Sequence, residues 1–379
     1  MNEYRRITEE TAENIFRIPV CLPGNPLKEL NSYFIRDPER SILIDTGFRL
    51  PECREALLAG LAELGEDPGC VDIFLTHLHA DHSGLATELA GESRRVYISE
   101  IEGRMLMNLP VRDGESAKES AGEGAGEGAG ESAGEGSGLR DGGNGEGRNG
   151  ERSNQRGERD DFSRIRRRMD MLAGMPPDIV DDLVTINPAI IFAPPRGYKY
   201  SMVADGEVLR AGGYELRCIL TPGHSPGHMC LWDESRGLMF AGDHVLFDIT
   251  PNITAWPSVE DSLGDYLDSL RKVRELPVIT ALPGHRKPGN FHQRIDELLK
   301  HHETRLAEVE SIISSTPGLS AYDIAGRMRW KIRANSWDEF PAAQKIFAVG
   351  ECQSHLDYLR LRGVIYREET DGVYKFRSA

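Results

Sequence analysis

The chain has 379 residues, too many for one ordinary domain, and 39% of them are hydrophobic, enough for a globular core. Its formal net charge of −16 argues against nucleic acid as the default partner, because an acidic surface repels phosphates, although a local basic patch could override that sign. No apolar run approaches the roughly 20 residues that span a bilayer, and the charged N-terminus lacks a signal-peptide core. The six scattered cysteines contain no C-x-x-C pair and favour reduced thiols. We therefore expect a cytoplasmic protein without a membrane partner.

The first part of the chain has the pattern of short strands with a helix between them. The β-rich runs SYFI and SILID flank the turn residues Asp37 to Arg40 and predict a hairpin. PECREALLAGLAEL has helical spacing and starts with Pro51, a residue that suits a first helical turn. VDIFLT and RRVYIS are the next predicted strands.

A low-complexity segment interrupts this pattern at about residues 113–160. It consists mainly of Gly, Glu, Ser and Ala and includes GEGAGEGAGESAGEGSG. Such a segment has almost no apolar side chains to offset the entropy lost on ordering. The composition predicts a disordered insertion within the first domain.

Strands and helices resume after the insertion. GEVLRAGGYELRCILTP predicts a hairpin, MCLW, GLMFAG and VITALP predict strands, and DSLGDYLDSLRKVREL predicts a helix. This order favours an α/β fold in which two sheets lie between helices. A long helix begins near Phe291, two shorter helical stretches follow, and VIYREETDGVYKF predicts a hairpin about an Asp-Gly turn. We predict two domains, 1–300 and a winged-helix-like 301–379.

The densest chemical motif is T-H-L-H-A-D-H-S-G, from Thr76 to Gly84. In an extended stretch His77 and His79 point to the same side, and a tight turn can bring Asp81 and His82 round to a second position. Imidazole suits zinc, and a carboxylate beside it suits a second metal or a base. Packing these four groups without a metal would leave several polar atoms unsatisfied. The motif therefore predicts a metal site.

Three more residues of ligand type lie just past predicted strands. His224 is in TPGHSPGH, Asp243 in FAGDH and His285 in LPGHR. Loops at the ends of strands bring together side chains from distant parts of a sequence. Each residue is weak support by itself, but together with the first motif they predict one shared site.

These motifs, with Asp45 in D-T-G, resemble the metallo-β-lactamase fold superfamily over about residues 15–300, apart from the insertion. The resemblance implies an αββα sandwich of two mixed β-sheets flanked by helices. It also implies two divalent metal ions, most simply Zn²⁺, although the same ligands accept iron or manganese. The implied ligands are His77, His79 and His224 for the first metal, Asp81, His82 and His285 for the second, and Asp243 for both. Asp45 would orient the ligand loop.

The resemblance also implies a reaction. Two metals lower the pKa of a shared water toward about 7, and the resulting hydroxide attacks a carbonyl or phosphoryl centre. Asp81 is the expected catalytic residue, because it can hydrogen-bond that water. True zinc β-lactamases usually carry a cysteine where Asp243 stands, and many lack a ligand matching Asp81. These departures favour glyoxalase II-like hydrolases over antibiotic hydrolysis.

Three functions remain open at this point. The leading one is hydrolysis of an ester, thioester or similar carbonyl of a small metabolite. A metal-dependent phosphodiesterase or single-strand endoribonuclease is the second, because related proteins with an appended winged helix include such an enzyme, but the acidic balance disfavours it. A winged-helix DNA-binding regulator with a vestigial hydrolase domain is disfavoured by the full ligand set. The oligomeric state is open, with a homodimer as one form.

Lesser candidates surround these motifs. His228 is expected to hydrogen-bond behind the ligands, and the residues near predicted loops that could line a pocket are Tyr198, Asn252 and Trp256. His301 and His302 are expected on the surface of the long C-terminal helix.

Overall fold

The computed structural model describes residues 7–90, 94–107, 164–186, 191–195, 197–331, 334 and 336–379. The low-complexity insertion predicted at 113–160 lies outside these described residues. Among the described helices, none combines the length and apolar character that crossing a membrane requires. All six cysteines are free; Cys21 and Cys70 are exposed and the other four are buried.

The first sheet has seven strands that follow one another in chain order. They are β1 (Glu9–Ala12), β2 (Ile15–Cys21), β3 (Glu29–Ile35), β4 (Ile42–Ile44), β5 (Asp72–Phe74), β6 (Val96–Ser99) and β7 (Ser201–Val203). Neighbours are antiparallel from β1 to β4 and parallel from β4 to β7. The hairpin predicted from SYFI and SILID is confirmed as β3–β4.

The second sheet has five strands in the order β12-β11-β10-β9-β8. They are β8 (Val208–Ala211), β9 (Tyr214–Leu220), β10 (Met229–Asp233), β11 (Leu238–Gly242) and β12 (Thr280–Pro283). The predicted β8–β9 hairpin is confirmed. Strand β12 is the one described strand of this sheet that runs parallel to its neighbour, β11. The connection between them contains a helix, which returns the chain to the end of the sheet where β11 begins.

Helices cover the outer faces of both sheets. The described helices before residue 290 are α1 (Pro51–Glu63), α2 (Ala80–Ser83), α3 (Ala86–Leu89), α4 (Glu100–Leu106), α5 (Pro177–Ile186) and α6 (Ser262–Arg274). Helix α5 is an exception to this arrangement, because its Ile179 and Val180 pack in the core of the C-terminal unit. A short 3₁₀ helix spans Pro68–Cys70, and residues 164–172 are also helical. Helix α1 begins at Pro51, as predicted.

Side chains that alternate along the strands build the layers. On β3, Tyr33 and Ile35 pack into the core between the two sheets, whereas Leu30 and Phe34 pack toward the outer helices. On β10, Leu231 points into the same central core, which also receives side chains from β9, β11 and β12. Successive residues of a strand point to opposite faces, so each sheet buries both of its faces. The αββα sandwich is therefore confirmed.

A smaller unit with a separate core follows the sandwich, and Ala173, Met175 and Val180 from earlier in the chain also pack into that core. It contains the long helix α7 (Phe291–Ser315), α8 (Ala321–Ala325), α9 (Ala342–Leu361) and the hairpin of β13 (Ile365–Thr370) and β14 (Val373–Ser378). Asp371 and Gly372 have φ values of 52° and 74°, the left-handed conformation that a two-residue hairpin turn needs. Helix α7 runs without a break across residues 300 and 301, so the predicted domain boundary falls inside one helix.

His302 is not on the surface, and that expectation is wrong. Its side chain is buried, with Nδ1 lying 3.2 Å from Nε2 of His355 on α9. The buried residues of α7 are Phe291, Ile295, Leu298, His302, Arg305, Val309 and Ile313. This spacing of three and four residues defines the inner face of a helix, and position 302 lies on it.

Candidate metal centre

The seven predicted ligands lie on four loops, each at the carboxyl end of a strand. The loop after β5 carries His77 and His79, and His79 is the N-cap of the one-turn helix α2, which carries Asp81 and His82. His224 lies between β9 and β10, and Asp243 and His285 follow β11 and β12. The site therefore lies where the ends of both sheets meet, which positions its side chains from rigid strands.

Three imidazoles form the first group. Nε2 of His77 lies 3.0 Å from Nδ1 of His79, and that same Nδ1 lies 3.0 Å from Nε2 of His224. The three nitrogens are close enough together to face a single cation. Three nitrogen ligands are a common donor set for zinc.

A carboxylate and two imidazoles form the second group. The Nε2 atoms of His82 and His285 are 3.3 Å apart, and Oδ2 of Asp81 lies 3.4 Å from Nε2 of His285. Oδ2 of Asp81 is 4.0 Å from Nε2 of His82. These atoms also converge closely enough to hold one cation.

Asp243 lies between the two groups. Its Oδ2 is 3.7 Å from Nε2 of His224 and 3.5 Å from Nε2 of His285, while its Oδ1 is 3.5 Å from Nε2 of His82. Oδ1 is buried and has no hydrogen-bond partner within the described part of the chain. A buried carboxylate oxygen of this kind is costly unless it meets a cation.

The outer nitrogens of three ligands are held by fixed acceptors. Nδ1 of His285 donates to the carbonyl of Glu29 at 2.8 Å, and Nδ1 of His224 donates to the carbonyl of Asn252 at 3.0 Å. A carbonyl can only accept, so Nδ1 carries a proton in these rings, and Nε2 is the nitrogen that faces the centre and is left to bind a metal. Nδ1 of His82 lies 2.7 Å from Oδ2 of Asp45. This donor set fits two divalent cations.

Asp45 connects the D-T-G motif to the histidine motif. Its Oδ1 accepts a hydrogen bond from the Thr76 backbone N–H at 2.8 Å, and its Oδ2 accepts from Thr76 Oγ1 at 2.8 Å as well as facing His82. Asp45 has a φ of 61°, a left-handed conformation that Asp adopts more readily than most residues. One buried side chain therefore fixes the start of the loop and the orientation of His82.

Burial and neighbouring charges shift the pKa values of several ligands toward the protonation states that bind a cation. Burial and the neighbouring histidines hold the pKa of His77 well below its ordinary value, and burial together with His224 lowers the pKa of His79 to about 3. Burial alone would raise the pKa of Asp81, but the hydrogen bond from His285 and nearby positive charge lower it to about 2. Neutral imidazoles and an ionised carboxylate are the forms that bind metals.

His82 and His285 differ from the other histidine ligands. Burial would lower both pKa values, but the carboxylates of Asp45 and Asp243 raise the pKa of His82 well above its ordinary value, and those of Asp243 and Asp81 raise the pKa of His285. Without a cation His82 therefore carries a proton at neutral pH, and that proton must leave when the nitrogen binds a metal.

The sequence interpretation missed Glu102 on α4. Ser99 accepts a hydrogen bond from the Glu102 backbone N–H, so S-x-x-E has the pattern of a helix capping box. The Glu102 carboxylate instead accepts hydrogen bonds from Ser225 Oγ and from the Gly227 N–H at 3.0 Å, both on the loop that carries His224. Burial raises the pKa of Glu102 to about 7, although these hydrogen bonds oppose the rise.

The residues that the sequence suggested as supporting or pocket-lining residues differ in their distance from the metal centre. His228 accepts a hydrogen bond from the Asp243 N–H at 3.1 Å, so it lies behind the ligands. Trp256 stacks on His79, with the ring centroids 5.9 Å apart and the planes at 22°. Tyr198 instead packs on Tyr200 beside the core of the first sheet.

Comparison with known proteins places this architecture in a family. The chain matches the metallo-beta-lactamase superfamily over residues 28–285, which is more than half of its length. The chain belongs to that superfamily. The match contains Asp45 and all seven residues of the metal centre.

Solved structures extend the similarity beyond the sandwich. A metallo-beta-lactamase family protein from Thermus thermophilus is 26% identical, with a TM-score of 0.71 over 97% of this chain and 99% of that chain. A beta-lactamase domain protein from Burkholderia ambifaria has the same fold, with a TM-score of 0.73, 24% identity and coverage of 98% and 94%. These alignments include residues of the C-terminal unit, because they span nearly the whole chain.

Curated superfamily relatives are similar over a shorter stretch. Lactamase-like protein aptB of Emericella nidulans is 33% identical over 143 residues, which is 36% of this chain and 43% of the relative. Beta-lactamase-like protein 2 homolog of Caenorhabditis elegans is 26% identical over 140 residues, 36% of this chain and 45% of the relative. The chain thus spans less than half of the length of the curated relatives it matches.

Proposed function

We propose that this superfamily member is a hydrolase that uses two divalent cations to cleave an ester or thioester bond of a small molecule. The observation that carries the proposal is the position of Asp243, which joins two three-ligand groups into one buried centre. When bound, the cations supply Lewis acidity that activates water and stabilises negative charge on the attacked oxygen. The nitrogen-rich ligand set favours Zn²⁺.

Asp81 is the residue that we assign to the attacking water. Its side chain is 14% exposed, compared with 8% for Asp243 and 0% for His82 and His285. Asp81 is therefore the carboxylate nearer to solvent, and its low pKa keeps it able to accept a hydrogen bond at neutral pH. The stacked indole of Trp256 shields His79 and offers an apolar surface beside the centre.

The charges of the C-terminal unit favour a carbonyl substrate over a nucleic acid. Residues 301–379 contain equal numbers of basic and acidic side chains. On the hairpin, Arg367 pairs with Asp357, Lys375 with Asp323, and Arg377 with Glu368. A surface that binds a phosphate backbone needs an excess of basic side chains.

Metal content tests the centre itself. Protein purified without chelator should contain close to two ions per chain by mass spectrometry, and His79→Ala and Asp243→Ala should each contain fewer. His301→Ala is a matched control, because it removes a histidine of α7 that lies outside the centre. A parent protein without metal, or variants that keep both ions, would refute the proposal.

Substrate class is tested separately on the metal-loaded protein. Turnover of thioesters or esters is expected to exceed turnover of a phosphodiester, and Asp81→Asn should lower kcat with both ions retained. A preference for single-stranded RNA or another phosphodiester would replace the carbonyl substrate by the phosphoryl alternative, with the same metal centre.

A further inference from the structure

Helix α9 of the C-terminal unit is hydrogen-bonded to residues 252–256, which we call the 252–256 loop. Ser354 Oγ donates to the carbonyl of Ile253 at 2.6 Å, and the Ala255 N–H donates to the carbonyl of Gly350 at 3.1 Å. Asn252 Nδ2 donates to Oε2 of Glu351 at 3.2 Å and to the carbonyl of Phe347 at 3.4 Å, both on α9. Positions 350, 351 and 354 lie on one side of a helix, so one face of α9 holds the whole loop.

The other side of the 252–256 loop contacts the metal centre. The carbonyl of Asn252 accepts the Nδ1 proton of His224 at 3.0 Å, and Trp256 stacks on His79. Both histidines belong to the first ligand group, with His77. A continuous series of contacts therefore joins α9 to the first cation position.

The second group is supported differently. His82 is oriented by Asp45, and His285 donates to the carbonyl of Glu29 on β3. Both supporting residues belong to the sandwich itself. The two cation positions therefore differ in how far they depend on the C-terminal unit.

Packing fixes α9 against the loop. Gly350 lies so close to Thr254 that a Cβ atom at position 350 would overlap Thr254 Oγ1. Glu351 also faces the buried Arg305 of α7, with Oε1 3.5 Å from Nε, and the guanidinium of Arg305 lies 4.2 Å from the ring centroid of Trp330. The acceptor for Asn252 is thus held by two elements of the C-terminal unit.

We propose that Asn252 and Glu351 are positioning residues of the first cation position, through which helix α9 sets the orientation of His224. The C-terminal unit is then a structural component of the metal centre. This inference rests on the proposed function, because it concerns the same two cations.

The test compares the affinities of the two cations in the full chain. Zn²⁺ is titrated against a chromophoric chelator into metal-free protein, which resolves a tighter and a weaker ion. The variants are Asn252→Ala, which removes the loop's side-chain anchor, Glu351→Leu, which removes the side-chain acceptor and leaves only the Phe347 carbonyl, and Glu351→Gln, which retains an acceptor oxygen. Arg362→Ala is the matched control, because it breaks the contact between the end of α9 and Asp261 at 2.8 Å without touching the loop.

Loss of a group that orients a ligand typically costs about 10- to 100-fold in metal affinity. Asn252→Ala and Glu351→Leu should weaken one ion by that factor and leave the other unchanged, whereas Glu351→Gln and Arg362→Ala should resemble the parent. If Glu351→Leu does not fold, Asn252→Ala still decides the question. Two unchanged affinities in Asn252→Ala, or an equal loss in Arg362→Ala, would overturn the inference while the metal centre stands. A parent that binds no Zn²⁺ would overturn the proposed function as well.

Discussion

We expect the buried carboxylate of Glu102 to make the free energy of unfolding depend on pH. The carboxylate ties α4 to the loop that carries His224 by accepting hydrogen bonds from Ser225 and Gly227. Glu102→Gln keeps the acceptor oxygen for Ser225 and Gly227 but cannot ionise. The variant therefore separates the cost of the buried charge from the benefit of the hydrogen bonds.

The size of the effect follows from the shift in pKa. Burial raises the pKa of Glu102 from 4.5 to about 7, and each pKa unit corresponds to about 1.4 kcal/mol. The folded protein binds the Glu102 proton more tightly than the unfolded chain does. Binding of this proton therefore stabilises the folded state fully below pH 4.5, and this stabilisation is lost as the pH rises to about 7. The free energy of unfolding should fall by about 3 kcal/mol over this range in the parent, relative to Glu102→Gln.

Chemical denaturation of the metal-free proteins at a series of pH values measures this difference. Other groups titrate in both proteins, so only the difference between the two curves reports on Glu102. Glu100→Gln, which removes a carboxylate paired with Arg104 on the same helix, controls for the loss of one acidic side chain. Parallel curves for the parent and Glu102→Gln would refute the argument that this carboxylate is buried at a cost.

Three further predictions concern the metal centre and its support. Asp45→Asn should lower Zn²⁺ affinity by about 10- to 100-fold in chelator competition while the protein stays folded, because His82 loses an anionic partner. Gly350→Ala should lower the unfolding midpoint despite the better helix propensity of alanine, and adding Thr254→Ala should restore it, because the overlapping Oγ1 is removed and the nearest Thr254 atom left is Cβ, at 3.3 Å. Chelation should lower the melting temperature of the parent, and the melting temperature should fall further as the free-metal concentration falls. A melting curve that does not respond to chelator would contradict this expectation. The packing argument at position 350 would fail if Thr254→Ala did not restore the unfolding midpoint.

Local sequence patterns were sufficient for most elements of the sandwich. Alternating and apolar runs predicted the β3–β4 and β8–β9 hairpins, and the Asp-Gly pair predicted the turn between β13 and β14. The ligand types were also visible, because three histidines and an aspartate within six residues have few other uses. The structure brings these four together with His224, Asp243 and His285 in one centre.

The contacts that support the centre could not be predicted in the same way. Glu102 meets Ser225 across 123 positions of sequence, and Asn252 meets Glu351 across 99. Such pairs are set by how elements pack, and no local spacing encodes them. Position 302 is different, since the three- and four-residue spacing of apolar residues on α7 already marks it as an inner position.

The left-handed backbone of Asp45 restricts which residues can occupy that position. Glutamate would keep the negative charge but has a longer side chain and visits this conformation less readily, while glycine would keep the conformation but offer no acceptor. Asparagine satisfies the backbone and part of the hydrogen bonding, but not the charge. A mutational library aimed at new substrates should therefore leave position 45 fixed.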